Sequence, residues 1–174
     1  MIGNEQNSSG LYVQGIFWEE HEWSQWYGLD SAIALRDAKA PEVPGLYRIR
    51  CANQEGLIYI GETGKSIRGR FRQLQKAMEY AEQGKYARLG KIGGPPHVAG
   101  GCVWNHKRAG FDIEVSWLDG SAFDRREIKG IECELIAAHR KSEHRSPACQ
   151  FAGDLEAECQ CDAADSGIDG RVLN

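Results

Sequence analysis

The chain has little of what a membrane or exported protein needs. No apolar run approaches the roughly 20 residues of a bilayer span. The opening stretch, MIGNEQNSSG, has no apolar segment of the kind a secretory leader carries. A cytoplasmic protein with no membrane partner is the expectation. The six cysteines (Cys51, Cys102, Cys133, Cys149, Cys159 and Cys161) include no CxxC pair. Without a leader, reduced thiols are expected. The sequence has no internal repeat, so solenoids and propellers are excluded. Acids are nearly missing from one long stretch. Between Thr63 and Phe111 only Glu79 and Glu82 oppose ten bases, a local charge of +8. The whole chain of 174 residues carries −4, so the remainder carries −12. A basic block in an acidic chain suits an anionic partner on one face, although a solvated helix and loop would have the same composition.

At this length one domain with extensions is expected. Residues 1–42 form a Trp-rich N-terminal extension, with Trp18, Trp23, Trp26 and Tyr27 among Glu19, Glu20 and Glu22. Its aromatics are expected to pack on the domain, with a short helix near Ser31–Ala38 stopped by Pro41. Residues 43–150 carry the recognisable pattern, and 151–174 form a polar tail. In the middle segment, 45–51 and 57–62 read as two strands around a turn at Asn53. Ile67, Phe71, Leu74, Met78 and Ala81 recur at helical spacing, between a Ser66 cap and a Gly84 stop. Residues 84–110 are Gly-rich, with Pro95-Pro96 and no clear period, and read as a long loop with room for a short helix. Phe111, Ile113, Val115 and Trp117 alternate as a third strand. Asp124 and Glu127 form a capping box that opens a helix to about Arg140. The fold class is α/β of the α+β kind: a small antiparallel sheet flanked by helices.

A turn centred on Asn53 pairs Tyr47 with Tyr59 and Ile49 with Leu57, and sets both phenols on one face. A pair of core aromatics would look the same. Arg70 lies three residues after Ile67 and four before Leu74, at the edge of the buried helix face. A guanidinium turned toward the sheet needs an anionic partner, and phosphate matches it in two-pronged fashion. On the late helix Glu132 lies about 60° from the buried centre and Glu134 about 100°, so Glu132 is the one to face the sheet.

GLY at 45–47, YIG at 59–61, the arginine in the following IxxR helix and ECELI at 132–136 together resemble the GIY-YIG nuclease family over roughly residues 43–150. The resemblance implies a metal-dependent endonuclease that hydrolyses DNA phosphodiester bonds. In it Tyr47 and Tyr59 act at the attacking water, Arg70 stabilises the scissile phosphate, and Glu132 holds one divalent metal, Mg²⁺ or Mn²⁺. Lys65, Arg68, Arg72, Lys85, Arg88, Lys91, His97, Lys107 and Arg108 are the expected DNA-binding residues. Two family positions differ. Leu74 stands where many members carry histidine or tyrosine, and Gln150 in PACQ stands where PxxN is frequent. Lys65, His97 and His106 could take over proton transfer. The alternative is a catalytically weakened DNA-binding module on the same fold. A third reading, an interaction protein built on the Trp-rich arm, leaves Arg70 and Glu132 without a role. Sequence-specific cutting would read bases through residues 84–110, the N-terminal arm or a homodimer. A second set, His139, His144, Cys149, Cys159 and Cys161, has the chemistry for structural zinc but not a zinc-knuckle spacing; free cysteines are expected there.

Overall fold

The computed structural model describes residues 14–85 and 96–150. Arg88, Lys91, Cys159 and Cys161 therefore lie outside the described residues. The elements run β1 (Phe17–Trp18), β2 (His21–Glu22), β3 (Tyr27–Gly28), α1 (Leu29–Ile33), β4 (Gly45–Cys51), β5 (Tyr59–Thr63), α2 (Ile67–Glu82), α3 (Gly100–Arg108), β6 (Ile113–Asp119) and α4 (Arg125–Glu143). The class is mixed α and β, as expected. A four-stranded sheet in the order β3-β6-β4-β5 is antiparallel throughout, and β1-β2 is a small separate ribbon. No helix among the described residues is long and apolar enough to cross a membrane.

Alternation along β4 divides the molecule into two cores. Tyr47, Ile49 and Cys51 face α2 and α3, together with Tyr59, Phe71, Leu74 and Val103. Leu46 and Ile60 face α4 and the N-terminal arm, together with Ile128, Leu135, Trp18 and Trp23. Ser66 caps α2 by accepting the Gly69 amide, and Asp124 and Glu127 form the capping box of α4. Gly84, at φ +66°, follows the α2 cap in the left-handed region that glycine tolerates best. Helix α3 lies within the segment read as loop. It packs so closely on α2 that a Cβ at Gly100 would collide with Ala77.

Three details differ from expectation. The first helix is Leu29–Ile33 rather than Ser31–Ala38. The β4-β5 register pairs Tyr47 with Gly61 and Ile49 with Tyr59, two residues from the Asn53-centred register. An even shift preserves the side-chain faces, so both tyrosines still share one face. Finally, Cys102 and Cys149 are joined in a disulfide rather than free, with Cα atoms 5.6 Å apart. The packing of α3 brings together two cysteines separated by 47 residues. Cys149 is therefore not grouped with His139. The His139 ring accepts the Leu57 amide and meets the Arg145 carbonyl instead.

The N-terminal arm is held by an arginine. Arg48 is fully buried on the α4 side of β4, with its guanidinium 4.5 Å from the Trp23 ring centre, 4.7 Å from Trp26 and 5.9 Å from Trp18. It donates to the Gly15 carbonyl at 2.6 Å and to Ser116 Oγ at 3.3 Å. Burial lowers its pKa to about 9. A planar guanidinium can stack and fork at once, whereas an ammonium cannot. Arg48→Lys is expected to cost about 2 kcal/mol in urea unfolding followed by tryptophan fluorescence. A midpoint equal to wild type would show that the cage carries no weight.

Candidate active site

Three elements converge on the Tyr47 hydroxyl. The side chain is fully buried in β4. Arg70, in the second turn of α2, donates its Nε–H to that oxygen at 3.2 Å. His97, three residues before α3, places Nε2 2.8 Å from it. The His97 Nδ1 accepts the Ala99 amide at 3.2 Å. Nδ1 therefore carries no proton, and the neutral ring must hold its hydrogen on Nε2. So Tyr47 Oη accepts two N–H donors. The two phenol rings stack with centres 6.0 Å apart, and His97 lies edge-on to Tyr59 at 5.2 Å.

Gly61 makes this approach possible. It stands directly opposite Tyr47 in the ladder. A Cβ there would come within 2.5 Å of Tyr47 Oη and 2.6 Å of the Tyr59 ring. The final glycine of YIG is thus a space requirement beneath two stacked phenols.

The acids stand at the free edge of β5. Outward-facing backbone groups on that edge alternate along the strand, and those of Ile58 and Ile60 meet partners from the last described residues. The Ile58 carbonyl accepts the Cys149 amide at 2.6 Å. Ile60 exchanges two bonds with the Gln150 side chain, at 3.0 and 2.9 Å. The Glu62 amide is near enough to the Glu132 carboxylate to favour its charged form. Gln150 therefore acts as a one-residue extension of the sheet. Glu132 sits where the tyrosine face meets the opposite face, half-buried, while Glu134 is exposed.

Charge in this corner is unbalanced. Burial and then the neighbouring Glu62 push the Glu132 carboxyl up to about 7, despite the Glu62 amide, Arg70 and Lys129. Glu62 Oε2 is itself buried and accepts no hydrogen bond among the described residues. Arg70 takes part in neither of the two ion pairs found among the described residues, Arg50–Glu114 and Arg68–Glu42. Its Nη1 donates to Gln73 and to the Pro96 carbonyl. Burial, followed by the Tyr59 charge, raises the Tyr47 pKa well above its ordinary value, against the pull of Arg70. Burial lowers the His97 pKa to about 3, so the ring is neutral near pH 7.

Tyr47, Tyr59, Arg70 and Glu132 thus share one corner. Two expected DNA contacts have other duties. His97 is buried against Tyr47 and has no surface for a phosphate. Arg68 pairs with Glu42 at 3.1 Å and donates to the Ala40 carbonyl at 2.7 Å, which ties α2 to the chain before β4. Lys65, Arg72, Lys85, Lys107 and Arg108 are exposed. Leu74 is fully buried. Sequence reasoning missed Glu62, which directly follows YIG. By strand alternation it lies on the face away from Tyr59, and its place on an edge strand brings it beside Glu132. An open polar groove of about 700 Å³, lined by Asp30, Arg50, Lys107, Asp112 and Glu114 among others, includes none of Tyr47, Tyr59, Glu62, Arg70 and Glu132.

The raised Glu132 pKa gives a pH signature. Between about pH 4.5 and 7 the folded chain holds a proton that the unfolded chain has released, so stability contributed here falls as pH rises through that window. In chelator, Glu132→Gln is expected to raise the thermal midpoint at pH 8 relative to wild type, with the difference shrinking toward pH 5. A pH-independent difference would contradict the assigned carboxylate repulsion.

Comparison of the chain with family models, curated proteins and solved structures finds no match.

Proposed function

We propose that this protein is a metal-dependent endonuclease that hydrolyses DNA phosphodiester bonds on a GIY-YIG-type fold. The observation that carries the reading is the Tyr47 hydroxyl, held by N–H donors from Arg70 and His97 beside the Glu62–Glu132 carboxylate pair. Core packing alone gives no reason to bring a guanidinium, an imidazole and two carboxylates to one buried phenol. Burying that many polar groups costs several kcal/mol unless each has a partner.

In phosphodiester hydrolysis a water oxygen bonds to phosphorus, the ester oxygen leaves, and negative charge grows on the phosphoryl oxygens. Tyr47, a neutral phenol whose oxygen accepts two N–H donors and whose pKa is raised by burial, positions the attacking water, and the water's proton leaves to solvent. Tyr59, stacked on Tyr47, lines the same corner. Arg70 supplies the positive charge for the phosphoryl oxygens. Its Nε–H bond to Tyr47 fixes the guanidinium in this corner. His97, in the tautomer described, acts as a fixed donor and so positions Tyr47.

The donor set fits a hard divalent cation such as Mg²⁺ or Mn²⁺. Glu132 and Glu62 would hold it, because both are oxygen donors and one oxygen of Glu62 is buried without a partner among the described residues. When bound, such an ion neutralises the carboxylate pair and lowers the pKa of nearby water. DNA as the substrate is supported by the exposed bases Lys65, Arg72, Lys85, Lys107 and Arg108 around an otherwise acidic chain.

Incubation with supercoiled plasmid should give nicked and linear product in Mg²⁺ and none in chelator. Glu132→Gln should abolish cutting while DNA binding holds or strengthens, and the exposed Glu134→Gln should cut nearly as wild type does. Arg70→Ala should lower the rate by roughly 100-fold or more. Arg68→Ala should mainly lower the melting temperature. DNA binding without cutting in either metal, over varied substrates, would replace this reading with that of a DNA-binding module.

A further inference from the structure

Away from the tyrosines, the disulfide has a neighbour it does not need. His106 lies one helical turn after Cys102 on α3, and its ring reaches the two sulfurs. The ligand atoms of Cys102, His106 and Cys149 all lie within 4.8 Å of one another. A disulfide uses two sulfurs and no imidazole. A third soft donor on the same side is what a metal ion would need.

We propose that, once this disulfide is reduced, Cys102, His106 and Cys149 bind a single zinc-class divalent ion. Two of the ligands sit at i and i+4 of one helix and so share a face. The third is held independently, since the Cys149 amide bonds the Ile58 carbonyl and the adjacent Gln150 side chain bonds Ile60. Two thiolates and one imidazole suit zinc by softness and suit Mg²⁺ poorly. Tetrahedral zinc with bonds of about 2.3 Å to sulfur separates two such sulfurs by roughly 3.8 Å. The bonded sulfurs must therefore part, and the half-exposed Cys102 side chain can turn to allow it. Cys102 and His106 are only half-buried, so the fourth position opens to water. Opening the disulfide takes two electrons and two protons. A phosphine with water supplies both and leaves as the phosphine oxide. The disulfide and the ion exclude each other, because sulfurs bonded together offer no thiolate. Either one ties α3, which His97 precedes, to the segment that completes the β5 edge.

The test is a Co²⁺ titration of the full chain, reduced with a phosphine, stripped of metal and kept free of oxygen. One Co²⁺ per chain should bind with tetrahedral and thiolate charge-transfer absorption, and Zn²⁺ should displace it. Cys102→Ser and Cys149→Ser should each lose the two-thiolate spectrum. His106→Ala, which leaves the buried cysteine in place, should weaken binding by roughly tenfold or more. Cys159→Ser combined with Cys161→Ser should leave the spectrum unchanged. A reduced wild type without the tetrahedral spectrum would reduce the cluster to a plain disulfide. A spectrum insensitive to His106→Ala but lost in the Cys159/Cys161 double variant would move the ion elsewhere and overturn the proposal. None of these readouts depends on DNA cleavage.

Discussion

A fully buried phenol oxygen must be satisfied, and satisfying Tyr47 organises one side of the molecule. Its two donors come from different elements, Arg70 from α2 and His97 from the turn before α3. Both helices must therefore lie on the same face of β4. They do so in close contact, with Gly100 against Ala77. The oxygen also needs room, which is why its ladder partner is Gly61. One polar atom thus links the sheet register, the packing of two helices and the composition of YIG. A buried donor or acceptor left without a partner costs about 1–3 kcal/mol.

The second constraint is the free edge of β5. An unpaired edge invites association, and this chain closes it with its own last described residues. Cys149, Gln150 and Glu132 meet Ile58, Ile60 and Glu62 in turn. Closing the edge therefore carries Glu132 to the corner where the phenols and Arg70 stand. On the other face of the sheet Arg48 plays the organising part, gathering Trp18, Trp23 and Trp26. The two faces are thus fixed by different polar centres, and the proposed chemistry sits where they meet.

Much of this was legible in sequence because it is local. The Ser66 cap, the Asp124–Glu127 capping box and the three long strands follow from short-range pattern. So does the choice of Glu132 over Glu134, since it depends only on helical angle. The shared face of Tyr47 and Tyr59 survived a register error because an even shift preserves alternation. What escaped was set by tertiary packing. His97 follows Pro95-Pro96 in a stretch without period, and nothing nearby announces that it folds back onto Tyr47. Glu62 was not singled out, and the edge position of β5 that brings it to Glu132 is a property of the sheet. Cys102 and Cys149 meet across 47 residues. The tryptophans of the arm were expected on the domain, but their attachment to a buried arginine in β4 was not visible in the composition of either segment.

The most direct measurement is the plasmid cleavage rate of Tyr47→Phe in Mg²⁺, taken alongside its melting temperature and DNA affinity. Phenylalanine keeps the ring stacked on Tyr59 and removes only the oxygen on which Arg70 and His97 converge. A folded variant that binds DNA normally and cuts at least about 100-fold more slowly is the expected result. A folded Tyr47→Phe protein that cuts at the wild-type rate would contradict it and return this phenol to a packing role.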